Sequence, residues 1–154
     1  FKVGDLSEIS MYDENIEIDG VRLSGKIDKI SIDEENKTIR IFDYKTGTPL
    51  DDWDNKRKSH INKYQLYLYK IMLNNSKKYK DYEIKIGTID FVESTDNDHL
   101  LDYKFIKSDE DKILKLVKIV WEHINNLNFP DVSKYKTDMS GIQAFEDDLF
   151  EGNI

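Results

Sequence analysis

The first third of the chain alternates apolar and polar side chains between turn-forming residues, a pattern that constrains the fold more than any other feature of the sequence. Asp19-Gly20 separates two alternating stretches within residues 16–23, which is a strong signal for a tight β-hairpin. Residues 25–32 continue as a strand, and a polar turn separates them from another strand at residues 37–46. Strands joined by tight turns predict an antiparallel meander.

The following segments change period. From about Lys56 to Asn75, apolar residues recur at helical spacing, which predicts a helix. Residues 83–92 return to strand alternation, and residues 100–106 show a weaker strand pattern. Ser108 is the predicted N-cap of a second helix. The apolar stripe of that helix predicts packing on the core throughout its length, and it consists of Ile113, Leu116, Val117, Val120, Trp121 and Ile124.

Together these elements predict a mixed α/β (α+β) fold, with a central mixed sheet that starts with the antiparallel meander and is flanked by helices. A chain of 154 residues has the usual size of one domain. We expect the domain to span residues 1–129. Residues 130–154 are polar and then acidic, and we expect them to form a weakly ordered C-terminal tail. Because the chain does not begin with Met, we expect it to be a piece of a longer protein.

The composition excludes several kinds of site. The chain has no cysteine, which excludes a disulfide framework, a thiolate zinc site and an iron–sulfur cluster. The absence of cysteine also suits a reducing cytoplasmic (intracellular) environment, which we take as the expected location. No apolar run approaches the roughly 18 residues of a membrane span, so we expect no membrane partner.

Charge is distributed unevenly along the chain. The formal net charge of −8 speaks against a nucleic-acid ligand, because the proteins that bind nucleic acids usually present basic surfaces. Residues 54–80, however, carry +7, which leaves −15 for the rest of the chain. A basic helix of this kind suits a phosphate backbone, and a solvated helix face explains it equally well. The candidate DNA-binding residues are Lys56, Arg57, Lys58, Lys63 and Lys70.

The strand at residues 37–46 carries the sharpest chemical feature of the sequence. Side chains alternate along a strand, so Asp43 and Lys45 share a face with the apolar residues Ile39 and Ile41. A buried face that ends in a carboxylate and an ammonium carries a desolvation cost, which favours a functional role. An isolated pair of this kind is more often a surface salt bridge at the end of a strand.

Asp28 lies on the preceding strand, a few residues from the turn that joins the two strands. An antiparallel pairing would bring it near Asp43, and two adjacent carboxylates repel each other unless a cation neutralises them. Hard oxygen ligands of this kind suit Mg²⁺ or Mn²⁺. Lys45 could then position or deprotonate a water, or stabilise charge on a phosphoryl oxygen. Taken alone, Asp28 is more simply interpreted as a solvated strand residue.

Gln65 and Tyr69 lie four residues apart in the predicted first helix and therefore on one face of it. The amide of Gln65 could orient a water or a phosphate, and Tyr69 offers a hydroxyl or a stacking surface. As an isolated pair, they are more often ordinary helix residues.

In combination, these residues resemble the RecB-like branch of the PD-(D/E)xK nucleases, whose signature is G-x-x-D, then D-x-K, then Q-x-x-x-Y. Each motif alone is weak, but the three occur in the right order on the right elements. The resemblance covers roughly residues 8 to 127. The matching residues are Gly25-Lys26-Ile27-Asp28, Asp43-Tyr44-Lys45 and the segment from Gln65 to Tyr69.

This resemblance implies a restriction-endonuclease-like core that hydrolyses phosphodiester bonds with one or two Mg²⁺ (or Mn²⁺) ions. It implies that Asp28 and Asp43 are metal ligands, with the backbone carbonyl of Tyr44 as a further one. It also implies that Lys45 assists the attacking water, and that Gln65 and Tyr69 support the site and contact DNA. Domains of this branch commonly belong to helicase–nuclease proteins that process DNA ends in recombination and repair, so a helicase is the expected partner.

The sequence departs from the family pattern in two respects. The family often has an upstream His or Glu ligand on a preceding helix, whereas all the histidines of this chain follow Asp28. Glu8 precedes the hairpin and is the candidate substitute, and we expect the missing first helix to precede Phe1. The absence of cysteine excludes the relatives with an iron–sulfur cluster. The three histidines are His60, His99 and His123.

Two alternatives to a nuclease remain open. The same fold could hold DNA ends without cutting them, as a catalytically inactive DNA-end-binding module. It could also be a protein-interaction module with solvated acidic residues. The Asp-x-Lys motif with its distant Asp favours catalysis, because binding alone needs no carboxylates that face a phosphate.

Overall fold

A computed structural model describes residues 3–54, 56–95 and 99–154. Residues 1 and 2, at the start of the predicted domain, lie outside the described residues. The elements are β1 (Val3–Ser10), a 3₁₀ turn (Tyr12–Glu14), β2 (Ile16–Ile18), β3 (Val21–Leu23), β4 (Lys26–Asp33), β5 (Thr38–Lys45), α1 (Arg57–Asn74), β6 (Glu83–Phe91), β7 (Leu100–Lys104), α2 (Lys107–Asn125) and α3 (Met139–Glu151).

The central sheet has five strands in the order β1-β4-β5-β6-β7. β5 and β6 are parallel, and the other neighbouring pairs are antiparallel. Parallel neighbours require a crossover connection, which α1 provides between β5 and β6. The prediction of a mixed α/β fold with a central mixed sheet flanked by helices is confirmed.

The predicted meander is wrong in its first part. The hairpin turn forms at Asp19-Gly20, where both residues have positive φ (50° and 83°), as a two-residue turn requires. Its strands β2 and β3, however, form a separate two-stranded sheet. The place beside β4 belongs to β1, which is eight residues long like β4 and can pair along the whole of it, from Val3–Asp33 to Ser10–Lys26.

The core lies between one face of this sheet and α1. Ile30, Ile41 and Ile89 of the sheet are fully buried with Leu66 of α1. Gly87 of β6 allows the helix to approach closely, because a Cβ at this position would lie 3.1 Å from the side chain of Leu66. Two of the candidate site residues, Gln65 and Tyr69, therefore lie on a helix that packs closely against the sheet.

The second helix differs from its prediction in two ways. α2 begins at Lys107 after Ile106, with no side-chain cap, so Ser108 lies inside the first turn and is not the N-cap. Its apolar stripe is buried only near the N-terminus, at Ile113, whereas Ile124 is 47% exposed. The stripe does not pack on the core throughout, because α2 follows the edge strand β7 and leaves the sheet.

The prediction of a weakly ordered tail at residues 130–154 is wrong for α3. This helix is capped at its N-terminus by the side chain of Asp138, which accepts a hydrogen bond from the backbone N–H of Gly141. It buries Glu146 and Leu149 and packs against α2. The acidic residues Asp147 and Glu151 are exposed, and this acidic composition is why the sequence suggested disorder.

Within the described residues, none of the helices combines the length and the apolar character needed to cross a membrane.

Candidate active site

The site begins where β4 and β5 separate. Their backbone pairing ends at Lys29–Phe42, while β4 continues alongside β1 to Lys26. At this fork the carboxylate of Asp28 replaces a backbone acceptor, and its Oδ2 accepts a hydrogen bond of 2.8 Å from the backbone N–H of Tyr44. The fork therefore brings Asp28 next to the segment from Asp43 to Lys45, as the predicted hairpin requires.

Asp43 is completely buried on the face of β5 that packs against α1. Its Oδ2 lies 2.5 Å from Nζ of Lys45 in an ion pair, but no donor in the described residues meets that oxygen in hydrogen-bond geometry. A buried carboxylate oxygen without a hydrogen bond is costly, which makes it a natural position for a ligand.

Gln65 and Tyr69 close a network with this pair. Lys45 Nζ donates to Oε1 of Gln65 at 2.8 Å, and Nε2 of Gln65 donates to the hydroxyl of Tyr69 at 2.7 Å. The hydroxyl of Tyr69 then donates to Oδ1 of Asp43 at 3.4 Å. Since an ammonium can only donate, Lys45 determines the orientation of the amide and hence the direction of the whole network.

The network perturbs the acidity of its members. Burial raises the pKa of Asp43 above its ordinary value; Lys45 opposes this effect and the nearby charge of Asp28 adds to it. Burial, with the negative charges of Asp43 and Asp28, raises the pKa of Tyr69 to about 12, although its bond with Gln65 opposes the rise. Tyr69 therefore stays a protonated donor at neutral pH, and Asp43 is a carboxylate that a cation would stabilise.

The donor chemistry of the site fits a divalent cation. Asp43 has an oxygen without a hydrogen bond, and Asp28 adds a second hard carboxylate close enough to raise the pKa of Asp43. The described residues contain no cluster of three or more His, Cys, Asp or Glu side chains that could hold a metal ion. The ligand set that the residues offer is therefore the pair of carboxylates, to which backbone oxygens can be added.

Glu8 does not complete this set. It lies in β1 opposite Asp28, between the pairs Ser7–Lys29 and Ile9–Ile27, and its φ of 54° interrupts the regular strand. Its side chain is 77% exposed and forms an ion pair with Lys26 at 3.1 Å. Glu8, the candidate substitute for the upstream ligand, thus lies at the surface.

The candidate DNA-binding residues have different contacts in the structure. Arg57 is exposed at the start of α1, and the ammonium of Lys56 lies 2.8 Å from Asp54. Lys58 lies seven residues before Gln65, on the same helix face as the site, and donates to the carbonyl of Thr48 at 3.0 Å.

The other two candidates lie farther along α1. Lys63 packs over the rings of Trp53 and Tyr103. Lys70 is largely buried in an ion pair with Glu110 of α2, and its assignment to DNA binding stays a prediction. Sequence reasoning counted the charge of Lys70 but gave no sign of this partner 40 residues away.

The histidines lie outside the carboxylate pair. Nε2 of His60 is 2.8 Å from the buried carboxylate of Glu146, which also accepts a bond from Tyr64. His99 bonds to Asp90, and His123 bonds to a backbone carbonyl at the end of α2. Glu146 was missed by sequence reasoning because it lies among the exposed acidic residues of α3.

Comparison with known proteins agrees with this geometry. The family model of the PD-(D/E)XK nuclease superfamily matches residues 2–136, which include every residue of the network. No curated protein matches the chain.

Proposed function

The chain belongs to the PD-(D/E)XK nuclease superfamily, and from this membership we propose that it is a metal-dependent deoxyribonuclease. The observation that carries the proposal is the closed network of Asp43, Lys45, Gln65 and Tyr69, with Asp28 at the adjacent fork. A structural salt bridge would need neither the buried Asp43 oxygen without a hydrogen bond nor a second carboxylate beside it.

Each residue has a distinct task in this proposal. Asp28, Asp43 and the backbone carbonyl of Tyr44 would hold Mg²⁺ or Mn²⁺, which would supply Lewis-acid polarisation of the phosphate and acidify the attacking water. The ammonium of Lys45 donates to Gln65 and forms an ion pair with Asp43, and an N–H group directed away from both can orient a water or a phosphoryl oxygen.

Gln65 and Tyr69 would act mainly through Lys45 and Asp43. The amide of Gln65 fixes the position of the ammonium, and the hydroxyl of Tyr69 holds one oxygen of the Asp43 carboxylate. Both groups lie on α1, so the helix keeps the network in register with the end of β5. A rigid arrangement of this kind lowers the reorganisation needed during phosphodiester cleavage.

We further propose that the enzyme acts exonucleolytically at DNA ends in recombination or repair, alongside a helicase domain, inside the cell. The support for these finer assignments is the RecB-like form of the three motifs, Gly25 to Asp28, Asp43 to Lys45, and Gln65 to Tyr69.

The test is a cleavage assay on linear and covalently closed circular DNA, with Mg²⁺, with Mn²⁺ and with a chelator. We expect degradation of linear DNA only in the presence of metal, and a loss of about 100-fold or more in Asp43→Asn and Lys45→Ala. Lys85→Ala is the matched control, because Lys85 pairs with Glu83 at the start of β6. Equal activity in all variants would defeat the proposal, and cleavage of the circles would defeat its exonucleolytic part.

A second candidate is a DNA-end-binding module that does not cut. The observation that favours it is the absence, among the described residues, of a third metal-ligating side chain beside Asp28 and Asp43. It predicts DNA binding with no cleavage under any metal condition. A calorimetric titration of Mn²⁺ into the wild type and Asp28→Ala separates the two, because only the nuclease requires metal binding that depends on Asp28.

A further inference from the structure

The N-terminal turn of α1 lies at the same end of the sheet as the Asp-x-Lys segment. β5 and β6 are parallel and α1 crosses back between them, so the helix begins near the end of β5. Lys45 and Phe91 are in register and share a face of the sheet, and the ammonium of Lys58 lies 5.3 Å from the centre of the Phe91 ring. The start of α1 is thus next to the strand end that carries Lys45.

This turn has backbone donors that are not used. The first N–H groups of an α-helix have no acceptor within the helix, and they carry the positive end of its dipole. Among the described residues, the N–H groups of Arg57 and Lys58 have no other acceptor either. Asp54 accepts from the N–H of Lys56 and the hydroxyl of Ser59, and its charge is paired with the Lys56 ammonium at 2.8 Å. The N–H groups of Arg57 and Lys58 therefore remain for an anion.

The side chain of Asn62 is a second, independent sign of a ligand at this turn. Asn62 is 3% exposed, and its Nδ2 is a buried donor with no hydrogen-bond acceptor in the described part of the chain. Helix side chains lean towards the N-terminus, so this amide lies over the turn of Lys58 and Ser59. A buried donor without an acceptor is costly, and an acceptor that arrives with a ligand would remove that cost.

Lys58 supplies the positive charge of the turn. It lies one turn before Asn62 on the same helix face, and its ammonium donates to the neutral carbonyl of Thr48 at 3.0 Å. The described residues place no carboxylate within ion-pair distance of this ammonium, whereas Lys45 and Lys56 each pair with one. An ammonium bonded to a carbonyl gains energy when it exchanges that acceptor for a phosphate, because charged hydrogen bonds are stronger.

We propose that the N-terminal turn of α1, with Lys58 and Asn62, is a binding site for a phosphate group of DNA beside the scissile phosphodiester. This proposal rests on the proposed function in one respect, that the ligand is DNA. The phosphate accepts from the N–H groups of Arg57 and Lys58, and the Lys58 ammonium leaves the carbonyl of Thr48 to pair with it. This movement opens the amide of Asn62, which donates to the same phosphate.

The experiment measures DNA binding by the whole chain in the presence of chelator, so that cleavage does not interfere. The probe is a short duplex with a single-stranded overhang and a 3′ fluorescein label, and its anisotropy is followed over a series of salt concentrations. We expect Lys58→Gln to reduce the slope of log K against log salt by about 0.7–0.9, the loss of one phosphate contact. Asn62→Leu should weaken binding about tenfold, the loss of a hydrogen bond to a charged group.

Thermal unfolding distinguishes this role of Asn62 from a structural one. Asn62→Leu removes a buried donor that has no acceptor, so the free variant should melt at the wild-type temperature or above it while it binds DNA more weakly. A lower melting temperature with unchanged DNA binding would overturn the role of Asn62. If Asn62→Leu does not fold, Lys58→Gln, at an exposed position, decides the proposal by itself.

The matched controls lie at the opposite end of α1. The ammonium of Lys78 also lies over a ring, that of Tyr79 at 5.1 Å, so Lys78→Gln is the control for Lys58→Gln. Asn74→Leu, at the last residue of α1, is the control for Asn62→Leu. Both controls should bind as the wild type does. Unchanged binding in Lys58→Gln and Asn62→Leu, or equal losses in the controls, would overturn the phosphate site.

Two versions of the probe distinguish the sources of the phosphate, one with a 5′-phosphate and one with a 5′-hydroxyl. Equal losses with both versions assign the site to a phosphodiester within the strand. Losses confined to the phosphorylated version assign it to the terminal phosphate.

The outcomes also separate this proposal from the proposed function. If the wild type cleaves DNA while Lys58→Gln and Asn62→Leu bind normally, the nuclease stands and the phosphate site fails. If the wild type binds but never cleaves, and only these two variants bind weakly, the phosphate site stands and the nuclease fails. If the wild type does not bind the duplex at all, both are overturned.

Discussion

α1 and α2 are helices of similar length, with 18 and 19 residues, but they are packed very differently. α1 buries eight residues, which include the polar side chains Ser59 and Asn62. α2 buries Glu110 and Ile113, whereas Val120 and Ile124 in the second half of its apolar stripe are exposed. The helix with the more regular apolar stripe in the sequence is therefore the less buried one.

Topology explains this difference. α1 connects two parallel strands, so it must cross the sheet and lie against it. α2 follows the edge strand β7, and only its first turns reach the core. Periodicity in a sequence indicates which face of a helix is apolar, but the position of the helix in the topology decides how much of that face is covered. The helix that crosses the sheet is also the one that carries Gln65 and Tyr69.

The largest expected effect is on the free energy of unfolding, when truncation of a buried leucine on α1 is compared with truncation of an exposed isoleucine on α2. Leu66→Ala removes a fully buried side chain that packs against Gly87, so we expect a loss of about 2–5 kcal/mol in the free energy of unfolding. Ile124→Ala removes a side chain that is 47% exposed, and we expect a loss below about 1 kcal/mol. Urea denaturation of both variants measures the difference. Similar losses would show that the face of α2 is covered in solution.

The second expected effect concerns catalysis. Gln65→Ala removes the acceptor of the Lys45 ammonium and the donor to Tyr69, so we expect cleavage of linear DNA to fall by about 100-fold, near 2.7 kcal/mol in activation free energy. Glu122→Ala, at an exposed position of α2, is the control and should cleave at the wild-type rate. A normal rate in Gln65→Ala would mean that Lys45 needs no support from α1.

Sequence reasoning identified the central residues of the site but missed two elements of the fold. The roles of Asp28, Asp43, Lys45, Gln65 and Tyr69 remain predictions, yet the structure brings all of them together. Local motifs are enough to predict that these residues cluster. The hairpin determines which residues of its two strands are neighbours, and the helix places Gln65 and Tyr69 on one face. The long-range ion pair of Lys70 has no such local signal.

The missed elements each have a physical explanation. The sequence of β1 lacks the alternation typical of a strand, because its apolar residues recur at every third position. Glu8, inside β1, also has a positive φ, which interrupts the regular strand. α3 does contain a readable signal, a helical stripe of Ile142, Phe145 and Leu149 after the capping residue Asp138. The surrounding acidic residues concealed that stripe.

The third expected effect tests how α3 contacts α1. Glu146→Ala leaves the partly buried side chains of His60 and Tyr64 without their acceptor, so we expect a loss of about 1–2 kcal/mol in the free energy of unfolding. Asp147→Ala, at the next and exposed position, should be neutral. Equal stability of the two variants would show that α3 is held by α2 alone.

The smallest expected effect is on the pH dependence of stability, and it concerns two aspartates with different pKa shifts, one beside α1 and one in α3. Asp43 is buried beside α1, and burial raises its pKa. Asp148 of α3 accepts bonds from Tyr135 at 2.5 Å and from Lys134 at 3.0 Å, which with a bond from Asn153 lower its pKa to about 2. Asn substitutions at the two positions should therefore change stability with opposite dependence on pH.

The signs follow from linkage. Because the pKa of Asp148 is lowered in the folded state, its carboxylate stabilises the fold at pH values above the ordinary value of 3.8. This contribution is lost as the pH falls towards about 2. Asp148→Asn should therefore be less stable than the wild type at neutral pH and approach its stability in acid. The raised pKa of Asp43 has the reverse effect, because the folded state binds the proton of Asp43 more tightly than the unfolded state does. The stability that this proton contributes is lost as the pH rises above 3.8 and through the pKa of the folded state. Asp43→Asn, measured with chelator, should therefore gain stability relative to the wild type as the pH rises. Urea denaturation across the acid range tests both, and parallel profiles would show that burial does not govern the acidity of Asp43.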